Sequence, residues 1–381
     1  MIYMEPEVLS YRPIVQSYLD FLMENNPKYA FRACRPSKVK RSTADEDAGL
    51  AATPAPGAGA GGDHVHGDKA EAAAADRRMF TIDATVRKLL EGLIEWLVDP
   101  LLVFLRKRLA EYVPTQDTTM VHSLLTVFEC MMGQCVVAGD GGAYSVGSAK
   151  FKGRSEPTQQ DVESFFMCAI VWSIGATVTG EAREAFSEFV RGATEDAEFL
   201  KRHPLNAFFK LRGWKDPVAP RKLMVPLPTR GTLYQSFYSA EHVGWKTWDE
   251  VCPRSDIADD ATFAKIIVQT VETTQFAYIV DLLVSRSRRT LVCGPTGTGK
   301  SAYMNRFVAG LPLDAYAPIT ISFSAQTTAR QAQDIVDAKL ERRRKGVYGP
   351  RLGIRAVLFV DDLNMCARAC ALAARRSRAA P

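Results

Sequence analysis

The run GPTGTGKS, comprising Gly294, Pro295, Thr296, Gly297, Thr298, Gly299, Lys300 and Ser301, has the G-x-x-x-x-G-K-[ST] spacing of a loop that cradles phosphate groups. Glycines at these positions let the backbone curl until successive amide groups aim inward at phosphate oxygens. A helix starting at Lys300 adds the positive end of its dipole. Lys300 supplies the charge that reaches β and γ phosphates, and Ser301 supplies a hydroxyl of the kind that ligates magnesium. About sixty residues further on, the apolar run of AVLFVDDLN ends in Asp361 and Asp362. Asp361 ends a strand expected beside the loop, where a carboxylate holds Mg2+ through water, and Asp362 stands where a general base polarises the attacking water. Glu is commoner at that second position and Asp is one methylene shorter. Because a misplacement of about 1 Å costs on the order of a hundredfold in rate, the pair predicts a site that binds tightly and turns over slowly or not at all.

These residues need strands and helices to hold them. The segment from Thr273 to Ser285 reads as helix, RTLVC as a β run into the glycine loop, SAYMNRFVAGL as helix and ITISF as strand. A long helix from Thr328 to Arg344, a Gly/Pro turn region KGVYGPRLG and the strand AVLFV follow. Strands alternating with helices predict a parallel α/β sheet.

Upstream the pattern is helical. Asp83 is an expected N-cap for a helix with Val86, Leu89, Leu90, Leu93 and Leu97 at helical spacing, interrupted at Pro100 and resumed through Leu109. Helices are expected from Met120 to Met132, Asp161 to Ile174 and Glu181 to Arg191, with GDGGAYSVGS as a loop between the first two. Phe165, Phe166 and Trp172 read as core. From His203 to Pro253 a Pro-rich connection carries Trp214, Tyr234, Phe237, Tyr238, Trp245 and Trp248. Such a series can stack bases, but its irregular spacing among prolines reads as a strap packed on a neighbouring domain.

Bulk properties exclude several classes. The 381 residues are 47% hydrophobic, ample for real cores, and the formal charge is +5 with basic residues scattered except at the C-terminal end, so no nucleic-acid footprint stands out. Eight cysteines without a CxxC pair or zinc-type spacing read as reduced thiols. The longest apolar stretch, Phe165 to Val178, is too short for a bilayer, and the N-terminus has no signal-peptide pattern, so no membrane association is expected. Ala44 to Asp76 is Ala, Gly, Pro and acid rich and reads as a disordered insertion, its His64 and His66 as solvated loop rather than metal ligands.

The run TQFAYIVDLLVSRSRRTLVCGPTGTGKSAYMNRFVAGLP, with ISFSAQTTARQAQDIVDAKLERRRKGVYGPRLGIRAVLFVDDLNM after it, resembles the third AAA+ module of dynein heavy chains of the axonemal kind. MIYMEPEVLSYRPIVQSYLDFL resembles the later part of the second module's large subdomain. The helical block resembles that module's lid, and PLPTRGTLYQSFYSAEHVGWKTWDE the strap into the third. The resemblance implies an incomplete AAA+ parallel sheet preceded by an all-helical lid. Its divisions would be 1–33 (end of the second large subdomain), 34–80 (insertion), 81–202 (lid), 203–258 (strap), 259–365 (first part of the third large subdomain) and 366–381, an Ala/Arg-rich tail unlike the family. The chain reads as an internal slice of a much larger motor.

Further implications follow from the resemblance alone. ATP with Mg2+ would be bound at a regulatory site of a six-module ring. Adenine contacts would lie near Val268 and Thr270. The partners would be the other AAA+ modules, and through the whole protein the intermediate and light chains and microtubules. The setting would be cytoplasm and cytoskeleton, in the axoneme of a cilium or flagellum. In AAA+ sheets a later strand lies between the P-loop strand and the strand ending at the magnesium aspartate. Without it two inward edges stay unpaired, and the chain alone would bind ATP poorly and not hydrolyse it measurably. Two other readings stay open at this stage, a non-catalytic interaction protein with a relic P-loop and an unrelated AAA+ remodelling ATPase.

Overall fold

A computed structural model describes residues 10–23, 84–138, 144–146, 149–151, 158–216, 222–252, 268–344, 347–351 and 353–366. The insertion with His64 and His66, the Asp83 cap and the Ala/Arg-rich tail lie outside these. The chain divides into two compact units, residues 1–288 and 289–381. Among the described residues no helix is long and apolar enough to cross a membrane.

The first unit is built on helices α1 (Arg12–Met23), α2 (Ala84–Arg108), α3 (Asp117–Ala138), α4 (Gln159–Trp172) and α5 (Arg183–Glu195). Short helices α6 (Phe199–Arg202) and α7 (Asn206–Leu211) come next. Their apolar faces close one core that holds Leu19, Leu97, Leu102, Val121, Phe128, Phe166, Ile170 and Phe186, all at or near zero exposure. Phe165 is buried as expected, and Trp172 packs against the core partly buried. The expected loop between α3 and α4 contains an antiparallel hairpin, β1 (Tyr144–Val146) with β2 (Ala149–Phe151). Its alternation is too short to register as a strand pattern in the sequence.

The interruption expected at Pro100 does not occur, since α2 runs unbroken through it. A proline has no N–H for the carbonyl four residues back, here that of Trp96. The indole of Trp214 fills that gap, its Nε1 donating to the Trp96 carbonyl at 3.0 Å inside the core. Beside it the buried Asp99 accepts from Arg12 Nη2 at 2.9 Å, which ties α1 to the same turn of α2.

The aromatic connection packs on this block. Trp214, Tyr234, Phe237, Tyr238 and Trp248 are buried and Trp245 is half-buried. Tyr238 donates to Asp161 Oδ1 at 2.7 Å and Tyr234 to the Gly175 carbonyl at 2.6 Å, so the rings bury their surface and still place their hydroxyls. A hairpin of β3 (Ser236–Ser239) and β4 (Gly244–Thr247) lies within it. Helix α8 (Val271–Ser285) closes the unit, and Arg286 and Arg288 after it reach the Gly133 carbonyl and the buried Glu129 carboxylate on α3 at 2.8 and 2.7 Å. Burial holds the Glu129 carboxyl above its ordinary range, a shift that Arg288 and Arg286 oppose.

In the second unit, α9 (Lys300–Ala309) follows the glycine loop, then β5 (Tyr316–Ser322), α10 (Ala329–Lys339) and β8 (Arg355–Asp361). Strands β5 and β8 pair in parallel from Tyr316↔Arg355 to Ser322↔Asp361. The parallel sheet and the helical block fit the incomplete AAA+ fold. Two expectations need correction. RTLVC forms no strand, and Leu291 stands 72% exposed. A strand exists only against a partner, and among the described residues no strand lies beside either this run or the free side of β8. The helix expected to reach Arg344 ends at Lys339, where a hairpin begins, β6 (Glu341–Arg344) with β7 (Val347–Gly349). No apolar residue lies between Leu340 and Val347, so a continued helix would have had nothing to bury.

Candidate functional site

The site grows from the turn between Cys293 and Lys300. Gly297 and Gly299 have φ of +85° and +79°, left-handed conformations in which residues with a Cβ are strained. An added Cβ at Gly297 would meet nothing within 4 Å, so the demand there is purely conformational. At Gly299 it would also press on the Tyr303 ring at 3.0 Å, a neighbour one helical turn on. Gly299 is the N-cap of α9, so the helix's first N–H groups open into the loop without capping side chains in front of them. Thr298 Oγ1 donates to the Pro295 carbonyl at 2.9 Å and pins the bend.

Lys300 folds its side chain back over the loop. Its Nζ donates to the Gly294 carbonyl at 2.9 Å and to the Pro295 carbonyl, which fixes the ammonium at the loop's centre. The next residue faces the sheet, and Ser301 Oγ donates to Asp361 Oδ1 at 2.9 Å across 60 residues of chain. Both are half-buried. The backbone N–H of Asp362 also donates to Asp361 Oδ1, at 3.0 Å, and Phe323 N–H to the Asp361 carbonyl at 3.0 Å, so the strand end is held on both sides. A hydroxyl and a carboxylate converging beside an ammonium and open helix N–H groups fit Mg2+ with a polyphosphate. All are hard oxygen or cationic donors of the type that pair prefers.

The structure therefore brings together Gly294, Pro295, Thr296, Gly297, Thr298, Gly299, Lys300, Ser301 and Asp361. Asp362 adjoins them, exposed, with φ of +52°. That left-handed turn is one that Asp and Asn tolerate better than longer side chains, so backbone geometry accounts for the Asp as readily as chemistry does. Val268 and Thr270 belong to the first unit. Val268 is exposed, and the Thr270 hydroxyl is engaged as the N-cap of α8, accepting from Thr273 N–H at 3.3 Å. The contributions of Tyr303 and Phe323 escaped the sequence reading. The only sequence signal for Tyr303 is its i+4 spacing from Gly299.

Two family models match. "P-loop containing dynein motor region" covers residues 255–371 and "Dynein heavy chain AAA lid domain" covers residues 90–250. Curated relatives include dynein axonemal heavy chain 12 of Mus musculus, 32% identical over 284 residues, covering 73% of this chain and 8% of that protein. Dynein axonemal heavy chain 3 of Homo sapiens is 30% identical over 300 residues, covering 77% and 7%. Dynein axonemal heavy chain 1 of Rattus norvegicus is 29% identical over 298 residues, covering 69% and 6%. The chain thus spans less than a tenth of the length of the curated relatives it matches. An unrelated AAA+ ATPase is no longer a competing reading. With its P-loop motor match, its lid match and a loop whose geometry suits phosphate, the chain belongs to the dynein heavy-chain family.

Proposed function

We propose that residues 294–301 with Asp361 bind ATP and Mg2+ as a regulatory nucleotide site in a dynein motor ring. The contact between Ser301 and Asp361, which joins the phosphate loop to the end of β8, carries this reading. Lys300 and the loop N–H groups neutralise and orient the β and γ phosphates, while Ser301 and Asp361 hold the cation. Bound Mg2+ supplies charge neutralisation to the phosphate oxygens. Asp362 orients water inefficiently, being short and fixed in a left-handed turn. Adenine contacts are assigned to the segment around Val268 and Thr270.

The names of the relatives support a place in an axonemal heavy chain of a cilium or flagellum, acting in microtubule-based movement within the cytoskeleton. There the neighbouring AAA+ modules, the intermediate and light chains, and microtubules would be partners of the whole protein. The helical block would be the lid of the second module and the P-loop region the start of the third. A relic P-loop is disfavoured because every position of the motif is present and its glycines hold the required backbone.

Calorimetric titration of the full chain with ATP tests this. Weak affinity is expected that Mg2+ strengthens and that is lost in Lys300→Ala, while Asp361→Asn loses only the Mg2+-dependent part. No phosphate release above background is expected. Absence of any Mg2+-dependent ATP or ADP binding would overturn the site. Robust turnover abolished by Lys300→Ala would overturn the slow-turnover assignment alone.

A further inference from the structure

From Arg342 to Val360 the chain carries Arg342, Arg343, Arg344, Lys345, Arg351 and Arg355 and no acidic residue, six positive charges against a formal +5 for all 381 residues. The sequence pattern alone put Arg342, Arg343 and Arg344 at the end of a helix and the residues after them into a turn region and a strand, and left the run unremarked. The structure puts three of the six, Arg342, Arg343 and Arg344, on β6 of the hairpin that it forms with β7. The register pairs Glu341 with Gly349, Arg342 with Tyr348 and Arg344 with Val347, with a bulge between Arg342 and Arg344. The two strands form a sheet of their own among the described residues, so each has one edge without a strand partner. Arg342, Tyr348 and Arg351 are exposed, and the single carboxylate at the hairpin's base, Glu341, takes Arg351 at 3.3 Å.

One or two charges on an edge strand suffice to discourage edge-to-edge aggregation. Three consecutive arginines on one strand go further, because they repel one another and gain from any anionic surface laid against them. An open strand edge offers N–H and C=O groups at peptide spacing, and guanidinium groups beside it match carboxylates in paired hydrogen bonds. We propose that this hairpin is a docking arm for an extended, acidic protein segment, which adds along the strand edge with its carboxylates against the arginines. Nucleic acid is the weaker fit. Tyr348 is the only aromatic of the hairpin, the rest of the chain supplies no net positive field, and a phosphodiester has no groups to continue a β-ladder.

Fluorescence anisotropy with the full chain tests it, using a fluorescein-labelled ten-residue Glu-Thr repeat, the matching Gln-Thr repeat and a ten-nucleotide single-stranded DNA. The Glu-Thr peptide is expected to bind at low salt, to weaken as salt rises, and to lose about tenfold in affinity when Arg342, Arg343 and Arg344 are changed to Gln. The same change at Arg375, Arg376 and Arg378 serves as the control and is expected to leave binding intact. Thermal melting checks that each variant folds, and the salt series on the unaltered chain stands without any variant. Equal loss in both variants, equal binding of the Gln-Thr peptide, or tighter hairpin-dependent binding of the DNA would each overturn the proposal.

Discussion

Cys293 sits one residue before the glycine loop and is exposed, whereas Cys130 and Cys168 lie inside the helical core. Burial pushes the Cys168 thiol up to about 12 and the Cys130 thiol up to about 11, the latter also through the charge of Glu129. Thiolate is the reactive form, so both buried thiols are inert at neutral pH for two reasons, access and ionisation. A brief iodoacetamide pulse at pH 8 followed by peptide mass spectrometry is expected to label Cys293 well before Cys168 or Cys130. Comparable labelling of Cys168 would mean that the core around α4 opens. At this scale the sequence was most informative about Lys300, Ser301 and Asp361, because a phosphate loop is a local object whose spacing encodes its geometry. The left-handed turn at Asp362 could not be read, since backbone conformation there follows from how β8 ends, not from the residue's own type.

The unbroken passage of α2 through Pro100 shows why element boundaries were harder. A proline signals a break because it orphans one carbonyl, and whether the helix survives depends on what else can reach that carbonyl. Trp214 reaches it from 118 residues away, a distance no local pattern reports. If that indole is the partner, Trp214→Phe leaves the Trp96 carbonyl buried and unpaired, at a cost of about 1–3 kcal/mol beyond the lost packing. Pro100→Ala restores a backbone N–H for the same carbonyl, so Trp214→Phe is expected to cost less in that background. Urea denaturation of the four proteins measures the coupling, expected at roughly 1 kcal/mol. Additive effects would show that Trp214 acts by packing alone. The hairpin after α10 was missed for a related reason: ERRRK has strong helical propensity, and what decides against helix is the lack of an apolar face beyond Leu340.

Apolar burial is distributed unequally over the chain. The first unit holds a core that runs from Tyr11 to Leu283, whereas in the second the buried hydrophobic side chains among the described residues are those of Val308, Leu311, Ile319 and Ile321. The composition of the two segments gave no hint of this, because AVLFV and RTLVC are as apolar as core strands. Their burial depends on sheet neighbours, and in β8 Leu358 remains 48% exposed. So few buried side chains leave little margin over the entropy of ordering a sheet and its helices, and the second unit is expected to melt first. The aromatic residues make the test direct: all five tryptophans, Trp96, Trp172, Trp214, Trp245 and Trp248, lie in the first unit. Tryptophan emission therefore reports that unit alone, while far-ultraviolet circular dichroism reports both. On heating, ellipticity is expected to fall in two steps, the earlier without a shift in emission, and millimolar ATP with Mg2+ is expected to raise the earlier midpoint while leaving the later one in place. Coincident transitions by the two probes would mean that the P-loop unit draws its stability from the helical core and unfolds only with it.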